Sequence, residues 1–350
     1  MAKIIFTIFL FLVASNLVPS IYGEKLVPCY FIFGDSLLDN GNNNHRNTVA
    51  KANFLPYGID YPNGQTGRFS NGRNVADFIA EELGFPAHIP PFATASGDDD
   101  AVLNGVNYAS GGAGILSGTG KQLGDVISLD EQLQNHQTTI NRSISILGNA
   151  DAAKNHMGHC IYSVGMGSND YAAYAMNPLR PSPNRYASQL IDNYSRQLRD
   201  LYAYGARKVS LFGLGAIGCV PAARLMYGRT LCLSATKTTS GVFNTKLKSL
   251  VDVLNKDLVG ANFTYIDTFG ITVSDPASNG FKYDKVECCT VSAAGMCVPQ
   301  GVTCSNRTDY AYFDGYHPTE AAAAVVAKRA FAALSPSDAY PFDIQHLAQA

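Results

Sequence analysis

Short apolar runs alternate along the chain with longer stretches in which apolar residues recur every three or four positions. Residues 30–33, 159–164, 207–212 and 263–267 are compact apolar segments bounded by Gly, Asn or Asp, the pattern of buried strands. Residues 105–108 form a shorter strand running into Ser110-Gly-Gly-Ala-Gly114. Between these runs the period becomes helical. Val75, Phe78, Ile79 and Leu83 make one stripe over 73–83, stopped by Gly84. A polar helix with a modest apolar face covers 128–147. Leu190, Ile191, Tyr194, Leu198 and Leu201 share a face over 184–204, and Phe243, Leu247, Leu250 and Leu254 share one over 241–258. A last helix is expected to begin with Pro318 at its first position and to run to about Leu334.

Strands alternating with helices imply a parallel sheet joined by right-handed crossovers. The expected fold class is three-layer α/β/α, with a flavodoxin-like, five-stranded parallel sheet ordered second, first, third, fourth, fifth. No internal repeat or linker divides residues 24–350, which read as a single domain.

The first 23 residues stand apart. Lys3, the apolar run 4–14 and small residues near Ser20 and Gly23 form a secretory signal peptide, too short for a membrane span. No later segment reaches spanning length, so stable membrane insertion is not expected. A formal net charge of −2 and a charged fraction of 15% leave no basic footprint for nucleic acid. Sequons at Asn141, Asn193, Asn262 and Asn306 suit a secreted glycoprotein. Eight cysteines in such a chain suggest disulfides. Cys219 and Cys232 flank a short loop and could pair, Cys160 is either a buried thiol or a partner of Cys29, and Cys288, Cys289, Cys297 and Cys304 crowd one polar segment. The spacing does not set their connectivity. Zinc is disfavoured because that cluster has no Cys-x-x-Cys pair. No metal or other cofactor is expected, and the chain is expected to be a monomer.

Candidate chemistry sits just past the strand ends. The run 30–33 stops at Gly34-Asp35-Ser36, which displays a serine on the strand's C-terminal lip, where open α/β sheets bind ligands. Gly111 and Gly112 follow the second strand and Asn169 the third. A glycine N–H can approach a developing oxyanion without a Cβ in the way, and a carboxamide can donate to the same oxygen. Ser36 N–H is a third donor. A serine hydroxyl needs a base. His317 supplies it, and Asp314, three residues earlier, can bond Nδ1–H and leave Nε2 facing Ser36. Asp35, Asp39 and the neighbouring asparagines read as turn-capping groups.

These blocks resemble the plant GDSL esterase/lipase family of the SGNH hydrolase superfamily. The similarity rests on Phe33-Gly-Asp-Ser-Leu-Leu-Asp-Asn-Gly-Asn-Asn43, Asn107-Tyr-Ala-Ser-Gly-Gly-Ala-Gly114, Gly167-Ser-Asn-Asp170 and Asp314-Gly-Tyr-His-Pro-Thr319, in that order. It extends through Glu287-Cys-Cys289 to the tail at 340–349. The resemblance implies a serine hydrolase of carboxylic esters, lipid or acyl esters among them. It assigns Ser36, Asp314 and His317 to catalysis, and Ser36, Gly112 and Asn169 to an oxyanion hole, with Gly111 an alternative for the glycine. It also implies secretion to the cell wall or apoplast. Phe313 stands where the family often has tryptophan, and Ala216 where Gly-Leu-Gly-Pro is usual. Two other activities fit the same residues: acyl transfer to a hydroxylated acceptor, or a non-catalytic wall glycoprotein that keeps the fold.

Other motifs carry less. Gly213-Leu-Gly-Ala-Ile-Gly218 matches a dinucleotide fingerprint, but Cys219-Val-Pro221 follows it and no acidic residue lies before Lys237. Ser234-Ala-Thr-Lys237 lacks a companion Lys-Thr-Gly. His156 and His159 have no nearby acidic or thiol partner suited to holding a metal and read as surface or strand-edge histidines. No Gly-x-Ser-x-Gly occurs, which argues against a nucleophile-elbow hydrolase.

Overall fold

The computed structural model describes residues 24–95, 97–227, 238–273 and 280–350, so the expected signal peptide lies outside the described residues. The strands are β1 (Tyr30–Gly34), β2 (Ile161–Gly165), β3 (Lys208–Phe212), β4 (Asn262–Ile266), β5 (Tyr283–Glu287), β6 (Tyr310–Tyr312) and β7 (Ala339–Tyr340). The principal helices are α1 (Val75–Glu82), α2 (Leu129–Leu147), α3 (Ser168–Met176), α4 (Pro183–Ala203), α5 (Ser240–Asp257), α6 (Glu320–Phe331) and α7 (Ile344–Gln349). β1 to β4 lie side by side and parallel, with Phe33, Val164, Leu211 and Tyr265 in register.

Each of these strands is mainly apolar because both of its faces are buried. Phe31, Phe33, Tyr162, Val164, Val209, Leu211, Phe263 and Tyr265 pack against the predicted stripes of α4 and α5 and against Leu133 of α2. Tyr30, Ile32, Ile161, Phe212 and Ile266 pack the other way, against α1, α6 and α7. The two clusters make the three layers, as expected. Within the second face a row of hydroxyls, Ser163, Ser210 and Thr264, crosses the sheet. Tyr30 donates to Ser163 (2.9 Å), Ser163 shares a bond with Ser210 (2.8 Å), and Thr264 donates to Tyr340 O (3.0 Å).

Three details differ from expectation. The predicted second strand occupies the free edge of β1 but is reduced to a single bridge, Ile32 to Asn107. Ile32 N–H donates to Val106 O and Tyr108 N–H to Ile32 O, but the next ladder donor, Gly34 N–H, goes to the Gln132 side chain. On the opposite edge, β7 pairs antiparallel with β4, a two-residue strand too short to give a periodic signal. The last helix begins at Glu320 rather than at Pro318, because Thr319 is its N-cap and accepts from Ala322 N–H (3.2 Å).

Cys29 pairs with Cys160, joining the starts of β1 and β2, so Cys160 is not a free thiol. His156 lies against this pair, its Nε2 3.2 Å from Cys29 Sγ, a sulfur neighbour that the sequence did not reveal. Cys288 pairs with Cys304 and Cys289 with Cys297. Cys232, the partner considered for Cys219, lies outside the described residues. Among the described residues, no helix is long and apolar enough to cross a membrane.

Candidate active site

β1 ends at Gly34, where a Cβ would stand 2.8 Å from Gly165 O and 2.9 Å from the Leu38 side chain. Only glycine lets the chain turn so close to the end of β2. Gln132 of α2 then clasps this residue, accepting from Gly34 N–H (2.9 Å) and donating to Gly34 O (2.8 Å). The next residues form a turn held by side chains. Asp35 Oδ1 accepts from Leu37 N–H, and Asp35 O accepts from Leu38 and Asp39 N–H. Asp39 Oδ1 takes the N–H groups of Gly41 and Asn42, and its Oδ2 takes Gly111 N–H at 2.8 Å. Asn43 donates to Gly111 O (2.9 Å) and accepts from Ser110 Oγ (2.6 Å). The capping role read for these acidic and amide residues is therefore the one they have here.

At the centre of this turn Ser36 Oγ lies 2.8 Å from His317 Nε2. His317 Nδ1 lies 2.8 and 2.9 Å from the two oxygens of Asp314. Asp314 Oδ1 also accepts the backbone N–H groups of Tyr316 and His317, both at 2.8 Å, and Oδ2 accepts from Tyr57 OH at 2.6 Å. Asp314 is fully buried, which by itself would push its pKa up. The charge of His317 and the donated hydrogen bonds reverse that and hold it below the ordinary carboxylate range. The residues that sequence placed 281 apart thus meet in a serine–histidine–aspartate arrangement.

The donors come from three different strand ends. Ser36 N–H and Gly112 N–H have no acceptor among the described residues. Asn169, in the first turn of α3, donates one amide hydrogen to Ala113 O (2.9 Å) and keeps the other. Gly111 N–H is committed to Asp39, whereas Gly112 faces the cleft with φ at +83°. Of the two glycines, Gly112 is the one with an amide to offer. Asp170 fastens the glycine-rich turn to α3 by accepting from Ile115 N–H, Leu116 N–H and Thr119 OH.

Ser36, Gly112, Asn169 and His317 open onto a cleft of about 1360 Å³. Leu37, Phe54, Met166, Tyr174, Leu214 and Val298 are among its apolar lining residues. Gly213–Gly218 forms part of that wall and leads into a short helix, Pro221–Tyr227, so the fingerprint-like glycines line the cleft. Sequence reasoning missed Tyr57, Gln132 and Asp170. Each is an ordinary residue in a loop or helix, and only its distant partner reveals it. Of the four sequons, Asn141 and Asn306 are exposed, while Asn193 and Asn262 are half-buried.

The family model for GDSL-like lipase/acylhydrolase matches residues 30–330. Three Arabidopsis thaliana proteins, each named GDSL esterase/lipase, resemble the chain over nearly its whole length. One is 44% identical over 363 residues, 99% of each chain. A second is 45% identical over 341 residues, 93% of this chain and 94% of the relative. A third is 47% identical over 340 residues, 93% of both. With a match of this extent, the chain belongs to the GDSL-like lipase/acylhydrolase family.

Proposed function

We propose that the protein is a secreted serine esterase that cleaves lipid or acyl esters through an acyl-enzyme on Ser36. Membership of its family makes it a carboxylic ester hydrolase. The observation that carries the mechanism is the 2.8 Å contact between His317 Nε2 and Ser36 Oγ, with Nδ1 held by Asp314. His317 takes the Ser36 proton as Oγ bonds to the ester carbonyl carbon. The oxyanion receives hydrogen bonds from Ser36 N–H, Gly112 N–H and Asn169 Nδ2. The C–O bond to the leaving alcohol then breaks and His317 returns the proton to that oxygen. Water repeats the sequence on the acyl-enzyme and releases the acid.

The apolar lining of the cleft supports an apolar acyl group. The disulfides among the described residues and the exposed Asn141 and Asn306 support passage of a monomeric glycoprotein, the single domain 24–350, through the secretory route to the cell exterior. Ser36→Ala should abolish turnover of a short chromogenic ester and labelling by a serine-directed phosphonate, with melting temperature retained. Wild-type turnover by that variant removes Ser36 from the mechanism. A panel of esters graded by acyl length then reports how much of the cleft the substrate fills.

A further inference from the structure

We propose that Tyr57 is a positioning residue for the reaction, acting through Asp314; this rests on the assignment of Asp314, His317 and Ser36 given above. Its hydroxyl lies between two groups, one in the disulfide-bonded segment 288–304 and one on the loop that carries His317. It accepts from Cys297 N–H (3.1 Å) and lies 2.6 Å from Asp314 Oδ2. A hydroxyl has one proton. With Cys297 N–H occupying a lone pair, the Tyr57 proton points at the Asp314 carboxylate. Burial, and then the charge of Asp314, raise the phenol's pKa far above its ordinary value, so Tyr57 stays a donor throughout the working range.

The ring is locked as firmly as the hydroxyl. Phe54, Phe69 and Phe313 surround it edge-on at 5.3 to 6.1 Å, and Phe69 in turn packs on the His317 ring at 4.9 Å. Cys297 is fixed by its bond to Cys289, whose N–H donates to Phe313 O, while Gly295 O accepts from Gly315 N–H. These residues form a small separate core behind the aspartate, well away from the sheet's own clusters in composition and in contacts. Tyr57 is therefore the pin between the loop after β1 and the loop that carries the base. Its donated bond keeps Asp314 ionised and aimed at Nδ1.

Tyr57→Phe removes one hydroxyl and keeps the ring. The pH profiles of kcat/KM for ester hydrolysis and of the rate of Ser36 phosphonylation are to be measured for wild type and variant. Losing a hydrogen bond to a charged group should lower kcat about ten-fold with KM nearly unchanged. Without the donor Asp314 protonates more readily, so both acid limbs should move to higher pH. In an Asp314→Asn background the same substitution should cause no further loss. If Tyr57→Phe does not fold, the double variant Cys289→Ser/Cys297→Ser, which releases Cys297, should give a smaller shift of the same sign. Unchanged profiles and kcat, or full additivity with Asp314→Asn, overturn the role of Tyr57 while Ser36→Ala remains inactive. Activity retained in Ser36→Ala overturns the underlying assignment and this proposal with it.

Discussion

The two halves of the site are built by different means. The half proposed to carry the nucleophile consists of Ser36, Gly112 and Asn169, on the segments that follow β1, residues 105–108 and β2, tied together by buried hydrogen bonds of Asp39, Asn43 and Asp170. The half proposed to carry the base consists of Asp314 and His317 on a loop outside the main sheet. It rests on β5 and β6, on the Cys288–Cys304 and Cys289–Cys297 bonds, and on an aromatic plug. Where a regular sheet supplies position, polar caps are enough to finish the geometry. Where no sheet is present, covalent bonds and rings take its place. The contrast predicts that the halves fail separately and by different chemistry.

The sharpest break should come at the base. Asp314→Asn, which leaves a side chain unable to hold the required imidazole tautomer, should lower kcat by about 10³–10⁴. Steady-state kinetics with a soluble ester measure this, and a loss under ten-fold refutes the orienting role. On the nucleophile side, Asn169→Ala should lower kcat about 10²–10³ with KM little changed, because its bond forms mainly in the transition state. An equal loss in KM assigns it to ground-state binding instead.

A third expectation separates the halves directly. Removing the Cys288–Cys304 bond by Cys288→Ser should cost about 2–4 kcal/mol and lower the temperature at which activity is lost. The rate of Ser36 phosphonylation should fall with it, while near-ultraviolet signals from the buried tyrosines of β1 and β2 persist to higher temperature. Simultaneous loss of both signals erases the distinction between the halves.

The smallest effect concerns pH and lies in the nucleophile half. Burial pushes the Asp35 and Asp39 carboxyls up to about 6, against the pull of the backbone N–H groups they accept. Folding then favours their protonated forms. Their contribution is complete below about pH 4 and is lost as pH rises through about 6, by at most about 3 kcal/mol for each. Asp314, held below its ordinary range, has the opposite sign, and its contribution is lost as pH falls through its folded value. Urea unfolding between pH 4.5 and 7 should show stability falling as pH rises, with a flatter dependence in Asp35→Asn. A rising stability across that window refutes the burial effect.

Most of the architecture was legible because burial on both faces makes strands short, mainly apolar runs, and one-sided burial makes helices carry stripes. The sites at strand ends followed from that placement. What escaped depended on contacts without a local pattern. Residues 105–108 look like a strand, yet the ladder to β1 stops after Ile32, because the distant Gln132 side chain takes Gly34 N–H. Two adjacent glycines are equivalent in sequence, and only the bond from Gly111 N–H to Asp39 distinguishes them. Tyr57 lies 257 positions from its carboxylate, in a polar loop that shows no periodicity.

Between the cleft-lining Val220 and Ala223, Ala222 N–H donates to Gly315 O at 3.0 Å, one residue from Asp314. On the proposed mechanism, the cleft wall and the loop that carries His317 are therefore joined at the backbone. A transplanted wall segment that presents an amide opposite Gly315 can change which esters fit while leaving the base in place. One that puts proline at that position changes both at once.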